Sequence, residues 1–123
     1  MSTLNVSNIT DGTDTVETGY VLNGSAKAWV NFDQGTGLTV KDSFNISSSV
    51  DHAGAYSYHN LTNSYSNIYF TTASQASSGQ AYSNYFEAEA WSKDAGSFWV
   101  YVHWQTTAYD REWVCCTTFG DLA

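Results

Sequence analysis

Proline is absent from this chain, and only four residues, Lys27, Lys41, Lys93 and Arg111, carry a positive charge. Turns must therefore rest on Gly, Asn and Asp. Against twelve acidic residues those cations leave a formal net charge of −8, which argues against a nucleic-acid partner, because too few side chains could neutralise phosphates. No run of about 18 apolar residues occurs, so no helical membrane span is expected. The opening Met1–Asn5 shows neither the basic nor the apolar region of a signal peptide, and assembly in a cytoplasm is the expectation. Charged residues make up 13% of the chain, about half the usual quarter. Ser, Thr, Asn, Gln and Gly supply the polar surface instead. Such a surface suits neutral ligands and subunit contacts.

Cysteine is almost as scarce: Cys115 and Cys116 are the pair, and they are adjacent. In a strand they point to opposite faces, and a bridge between them demands strained geometry. The expectation is two reduced, buried thiols acting as small hydrophobes, with an intermolecular bridge as the lesser alternative.

Aromatic residues, in contrast, are abundant, with five Trp, nine Tyr and six Phe among 123 residues. Most fall in runs that alternate with polar residues, such as Phe98 to Trp104 and Tyr85 to Trp91. β-Branched and aromatic residues at period two describe strands. Further strands are expected over 27–32, 38–46, 55–61, 67–72 and 112–119, with Lys93-Asp94-Ala95-Gly96 as a hairpin turn. Leu38, Val40, Phe44 and Ile46 share a face that Asp42 interrupts, so a bulge or an edge position is expected there. Residues 73–80 read as a Ser-rich loop. No helix of useful length and no internal repeat is visible. The length fits one domain, an all-β antiparallel sandwich, jelly-roll-like, of about seven or eight strands. Residues 1–23 form an N-terminal strand and linker outside it, and residues 24–123 the sandwich. The isolated N-terminal strand needs a sheet from elsewhere.

The strand over 97–106 is apolar on both faces, with Trp99, Tyr101 and His103 opposite Phe98, Val100, Val102 and Trp104. A strand covered on both sides needs a second layer. A neighbouring subunit is the simplest source, which makes Leu4, Val6, Ile9, Trp99, Tyr101 and His103 candidates for a subunit interface.

Catalytic patterns are thin, and the chain is read as non-enzymatic. There is no G-x-S-x-G elbow and no H-E-x-x-H. Glu87 and Glu89 share a strand face with Cα atoms about 6.6 Å apart, a spacing reminiscent of glycosidase carboxylates but more commonly a solvated face. His52, His59 and His103 lack metal-ligand spacing. Asp11, Asp14 and Glu17 match no calcium loop. No metal and no cofactor is expected. Five N-x-S/T triplets, at Asn5, Asn8, Asn23, Asn45 and Asn60, are what chance places in a chain of this composition. Carbohydrate binding is the more credible chemistry. Sugars stack apolar faces on exposed rings while neutral groups bond their hydroxyls, and Tyr65, Tyr82, Trp91 and Tyr109 are the candidate rings.

The strings Asn23-Gly24-Ser25-Ala26-Lys27-Ala28-Trp29-Val30-Asn31-Phe32 and Val40-Lys41-Asp42-Ser43-Phe44-Asn45-Ile46-Ser47-Ser48 resemble bacteriophage tail-fibre-like virion proteins of the receptor-binding type, common in phages of marine bacteria. Ser2 to Val6 and Phe119-Gly120-Asp121 are similar to the ends of those chains. Together these stretches cover roughly half the sequence. The resemblance implies a homotrimer at the virion periphery, assembled in the host cytoplasm beside other virion proteins, and contacting a host surface glycan or receptor. Without a long shaft, the chain is expected to be a stub fibre, a distal tip or a small particle-decorating protein. The alternatives are a purely structural decoration or connector protein, a free lectin-like module and, last, a small glycan hydrolase.

Overall fold

Residues Ala28 to Asp33 alternate between buried and half-buried along their whole length, the burial signature of a strand with one face in a core. The computed structural model describes residues 3, 5–35, 37–77 and 87–123. In chain order the elements are β1 (Asn8–Thr10), β2 (Thr15–Glu17), α1 (Thr18–Gly24), β3 (Ala28–Asp33), β4 (Thr39–Phe44), β5 (Ile46–His52), β6 (Tyr56–Leu61), β7 (Thr71–Ser77), β8 (Glu87–Asp94), β9 (Ser97–Trp104), β10 (Thr107–Ala108) and β11 (Trp113–Phe119). Two antiparallel sheets pack face to face. One runs β4-β3-β11-β7; the other runs β5-β6-β9, with β8 and the short β10 also paired to β9. The expected all-β sandwich is the observed architecture.

Between the sheets lie Ala28, Val30 and Phe32 of β3, Phe98, Val100 and Val102 of β9, and Val114 and Cys116 of β11, each at most 1% exposed. Burying such side chains supplies the main favourable term in folding. One polar residue sits at the centre of this layer. His59 of β6 packs between the rings of Phe32, at 4.7 Å, and Phe98, at 5.1 Å. Its nitrogens meet the Ser49 and Ser57 hydroxyls at 2.8 and 3.0 Å, and burial pushes its pKa down to about 4.

Several elements depart from the sequence reading. The single strand expected over 38–46 breaks at Asn45, which adopts a φ of 59° and turns the chain from one sheet into the other. Asn45 holds this corner by donating through Nδ2 to the carbonyls of Lys27 and Asn63, at 3.1 and 3.0 Å, while Oδ1 accepts from the Asn63 N–H at 2.7 Å. The anticipated irregularity at Asp42 is present: β4 is an edge strand, and its register against β3 shifts between Asn31 and Phe32. The strand expected over 67–72 begins only at Thr71. Residues 71–77, most of the supposed Ser-rich loop, form β7 and pair with β11 over seven positions. Thr72 and Ser74 direct their hydroxyls to the carbonyls of Ala90 and Ala88, both at 2.6 Å. This links the two sheets along one side through side chains rather than a backbone ladder, so the segment needs no large apolar residues.

The N-terminal strand also finds a partner within its own segment. β1 pairs with β2 as a hairpin, whose turn is organised by Asp11 Oδ1 accepting from the N–H groups of Thr13 and Asp14, both at 2.9 Å. α1 follows, a helix of seven residues that sequence reading did not anticipate; none of its residues is buried. Val6, Ile9, Val16, Tyr20, Val21 and Leu22 are all exposed on this arm. The chain joins the sandwich where the Lys27 N–H donates to the Thr118 carbonyl.

Candidate ligand-binding face

Strand parity decides which rings face outward, and strand pairing decides which of them meet. On the outer face of the second sheet, Val50, Tyr58, Trp99 and Trp91 form one cross-strand row, and His52, Tyr56, Tyr101 and Glu89 form the next. Four adjacent strands thus contribute to one surface. Tyr56 and Tyr101 stack at 4.2 Å. Trp99 packs against His52 at 4.7 Å and Tyr58 at 5.0 Å, and Tyr56 meets Trp91 edge-on at 6.2 Å. Lys93 lays its ammonium over the Tyr58 ring at 4.4 Å, a cation–π contact that closes one end of the surface.

These rings frame a shallow cleft of about 320 Å³ lined by His52, Ala53, Tyr56, Trp91 and Trp99. Trp91 is 41% exposed and forms one wall. The hairpin that supplies His52 and Tyr56 is tight, with positive φ at Gly54 and Ala55 (80° and 61°). Ala55 is held in that uncommon conformation by its carbonyl, which accepts from Gln34 Nε2 and from the Val102 N–H, both at 3.2 Å. The wall of the cleft is therefore anchored to the core.

At the other end of the face His103 stacks on Tyr101 at 4.9 Å and is buried beneath Glu87 and Glu89. Its Nε2 lies 3.3 Å from Glu89 Oε1 and 3.7 Å from Glu87 Oε2. The two carboxylates are exposed, as their spacing suggested, but they converge on one buried imidazole.

The sequence candidates are distributed unevenly over this geometry. Trp91 lies on the face, and so do Trp99, Tyr101 and His103, which were expected at a subunit contact. Their outer side is covered in part by lateral packing against rings of β5, β6 and β8. Tyr65 requires correction as a ligand candidate. It is 2% exposed, stacks on Phe70 at 4.3 Å and hydrogen-bonds Thr118 Oγ1 at 2.6 Å, so its ring belongs to the core. Tyr109 is half-buried with the Arg111 guanidinium 4.9 Å from its ring, apart from the rings that line the cleft. Val6 and Ile9 lie exposed on the arm. Leu4 and Tyr82 lie outside the described residues. The thiols also differ from expectation: Cys116 is buried, with its pKa pushed up to about 12 chiefly by that burial, whereas Cys115 faces solvent.

Sequence reasoning missed His52, Tyr56, Tyr58 and Lys93 as parts of this face. Tyr56 and Tyr58 stand two apart on one strand, so their shared side was readable. Their neighbours were not, because β6 meets β9 across about forty residues of chain. Compared with known proteins, the chain matches no family model, no curated protein and no solved structure.

Proposed function

We propose that this protein is a non-enzymatic, carbohydrate-binding β-sandwich that contacts glycans on a host cell surface as part of a bacteriophage particle. The observation that carries the reading is the open aromatic cleft of His52, Tyr56, Trp91 and Trp99. A pyranose presents a flat C–H face and an equatorial rim of hydroxyls. Ring walls stack the first, while neutral groups and the Glu89 carboxylate beside Tyr101 accept from the second. The chain's net charge of −8 favours neutral over anionic sugars, since acidic polysaccharides would be repelled.

The particle setting is supported by the resemblance to tail-fibre-like chains carried by residues 23–32 and 40–48. A homotrimer bound to other virion proteins belongs to the same reading. It is supported by the exposed apolar side chains of the arm, from Val6 to Leu22, which a symmetric assembly would cover.

A glycan array with the full chain tests the binding, and light scattering tests the assembly. Neutral glycans are expected to bind, with loss on W91A and Y56A. An array without a single hit would instead support the second reading, a structural particle protein without a receptor role. The exposed Phe44 and Trp113, 55% and 52% accessible on the opposite sheet, favour that alternative as a packing surface.

A further inference from the structure

Tyr69 is 86% exposed, although its neighbour Phe70 is buried and stacked on Tyr65. A single exposed ring is ordinary on a protein surface, and its surroundings are what set this one apart. Tyr69 stands in the loop between β6 and β7, beside a cleft of about 270 Å³ walled by Asn23, Asn67 and Asp121 over a floor of Phe70 and Gly120. Segments far apart in sequence meet there: the last turn of α1, the loop before β7 and the residues after β11. The cleft shares no residue with the one between Trp91 and Trp99.

Its walls are fixed by bonds that leave their polar groups with capacity to spare. The Tyr69 N–H donates to Asn67 Oδ1 at 2.8 Å, and Asn67 Nδ2 donates to Ser66 Oγ at 3.2 Å. Asn67 thus retains one amide hydrogen and a second lone pair. The Ser66 N–H donates to the Asp121 carbonyl at 2.8 Å, and the Ala123 N–H to the Ser64 carbonyl at 3.0 Å. These backbone bonds lace the loop to the segment after β11 without engaging the Asp121 carboxylate. Lys27 donates from its ammonium to the carbonyls of Leu22 and Ser25, which holds the last turn of α1 and with it Asn23. The floor belongs to the core, since a Cβ at Gly120 would stand 2.9 Å from Phe70 Cβ. Walls already set in place lose little freedom on binding.

We propose that this cleft is a second saccharide site, which takes one neutral pyranose ring. The Tyr69 ring is a platform for the C–H face of the sugar. Asp121 only accepts, and its two oxygens can take two neighbouring hydroxyls at once. The Asn23 and Asn67 amides donate and accept, which matches hydroxyl groups that do both. An anionic ligand meets no counter-charge, because no Lys, Arg or His lines the cleft. A metal ion is excluded as well: one carboxylate is too few ligands, and no metal-binding group occurs among the described residues. An apolar ligand would dehydrate a carboxylate and two amides without replacing their hydrogen bonds. Size limits the ligand to one ring, since the volume falls below the range of about 300–1,000 Å³ that drug-sized molecules occupy. Together with the aromatic cleft, this gives the chain two weak contacts for a polymeric glycan, and linked contacts hold more firmly than either alone.

The test follows the backbone amides of the full chain by nitrogen-15 NMR during titration with the methyl glycosides of glucose, galactose and mannose. At least one sugar should shift the amides of residues 66–70 and 120–121, with a dissociation constant of about 1–10 mM. Y69A and D121N should each weaken that binding about fivefold or more, whereas W91A should leave it unchanged. The uronic acid of the sugar that binds should bind about tenfold more weakly, or worse. The proposal is overturned by amides that stay still up to about 100 mM of all three sugars. Binding that survives both Y69A and D121N, shifts that vanish in W91A, or a uronic acid that binds equally well would overturn it too. Loss of all binding at the Trp91 cleft, with the shifts at 66–70 retained, would sink the aromatic-face reading and leave this one standing.

Discussion

Tyr56 and Tyr101 are register partners across β6 and β9, and their rings stack at 4.2 Å with planes 12° apart. Tyr56 also meets Trp91 and Trp99 edge-on at 6.2 and 6.3 Å, so from β6 it joins rings of β8 and β9. A double-mutant cycle on Y56A and Y101A should give a coupling of about 0.5–1.5 kcal/mol, measured by urea unfolding followed through tryptophan fluorescence. A coupling indistinguishable from zero would mean that the stack contributes nothing beyond area.

Acid lability should originate at His59. Its pKa in the folded chain is about 4, against 6.5 for an unperturbed histidine, because burial disfavours the imidazolium. Between these values the unfolded chain binds a proton that the folded chain refuses. The contribution is therefore complete above pH 6.5 and is lost as pH falls towards 4, about 3 kcal/mol in all. Unfolding free energies across pH 4–7 should show this slope in the parent chain and lack it in H59N, which is itself less stable at pH 7. An equal slope in both proteins would assign the effect elsewhere.

The two thiols should react very differently. Cys115 is exposed, whereas Cys116 is buried with its pKa raised to about 12, and the thiolate is the reactive form. A disulfide-exchange reagent at pH 8 should label one thiol per native chain rapidly and the second only on unfolding. C115S should abolish the fast phase. Two fast equivalents in the native state would contradict the placement of Cys116.

Gly120 leaves no room for a side chain. An added Cβ would stand 2.9 Å from Phe70 Cβ and 3.0 Å from Tyr65 Cδ1, and those two rings are stacked in the core. G120A should cost about 1–3 kcal/mol, visible as a lowered thermal midpoint. An unchanged midpoint would show that the stack yields easily.

The arm should be dispensable for folding. None of the residues of β1, β2 or α1 is buried. Deleting residues 1–22 should leave a cooperatively unfolding β domain, with a thermal midpoint within a few degrees. Loss of the cooperative transition in calorimetry would mean that the arm belongs to the sandwich.

The legible parts of the fold were those in which one strand face is buried by large residues. Val30 and Phe32, Phe98 and Val100, and Val114 and Cys116 each lie two apart, and that spacing is imposed by the pleat. β7 escaped because its inward residues, Thr72, Ser74 and Ala76, are small, and two of them act through hydroxyl groups. The break at Asn45 was hidden by apolar residues on both sides of it. Tyr65 was misplaced because a tyrosine among Ser and Asn residues reads as loop surface, whereas this loop folds back and stacks its ring on Phe70.

For the candidate site the division follows the range of the forces involved. Alternation along a strand is local and sets parity, so the chain alone determined that Glu89 and Trp91 share one side, as do Trp99, Tyr101 and His103. The order β5-β6-β9-β8 arises from backbone hydrogen bonds between distant segments. Only that pairing brought His52 and Tyr56 beside Trp99, and both glutamates onto His103. A side chain's direction is thus a property of its own strand, while its neighbours depend on which strands the core brings together.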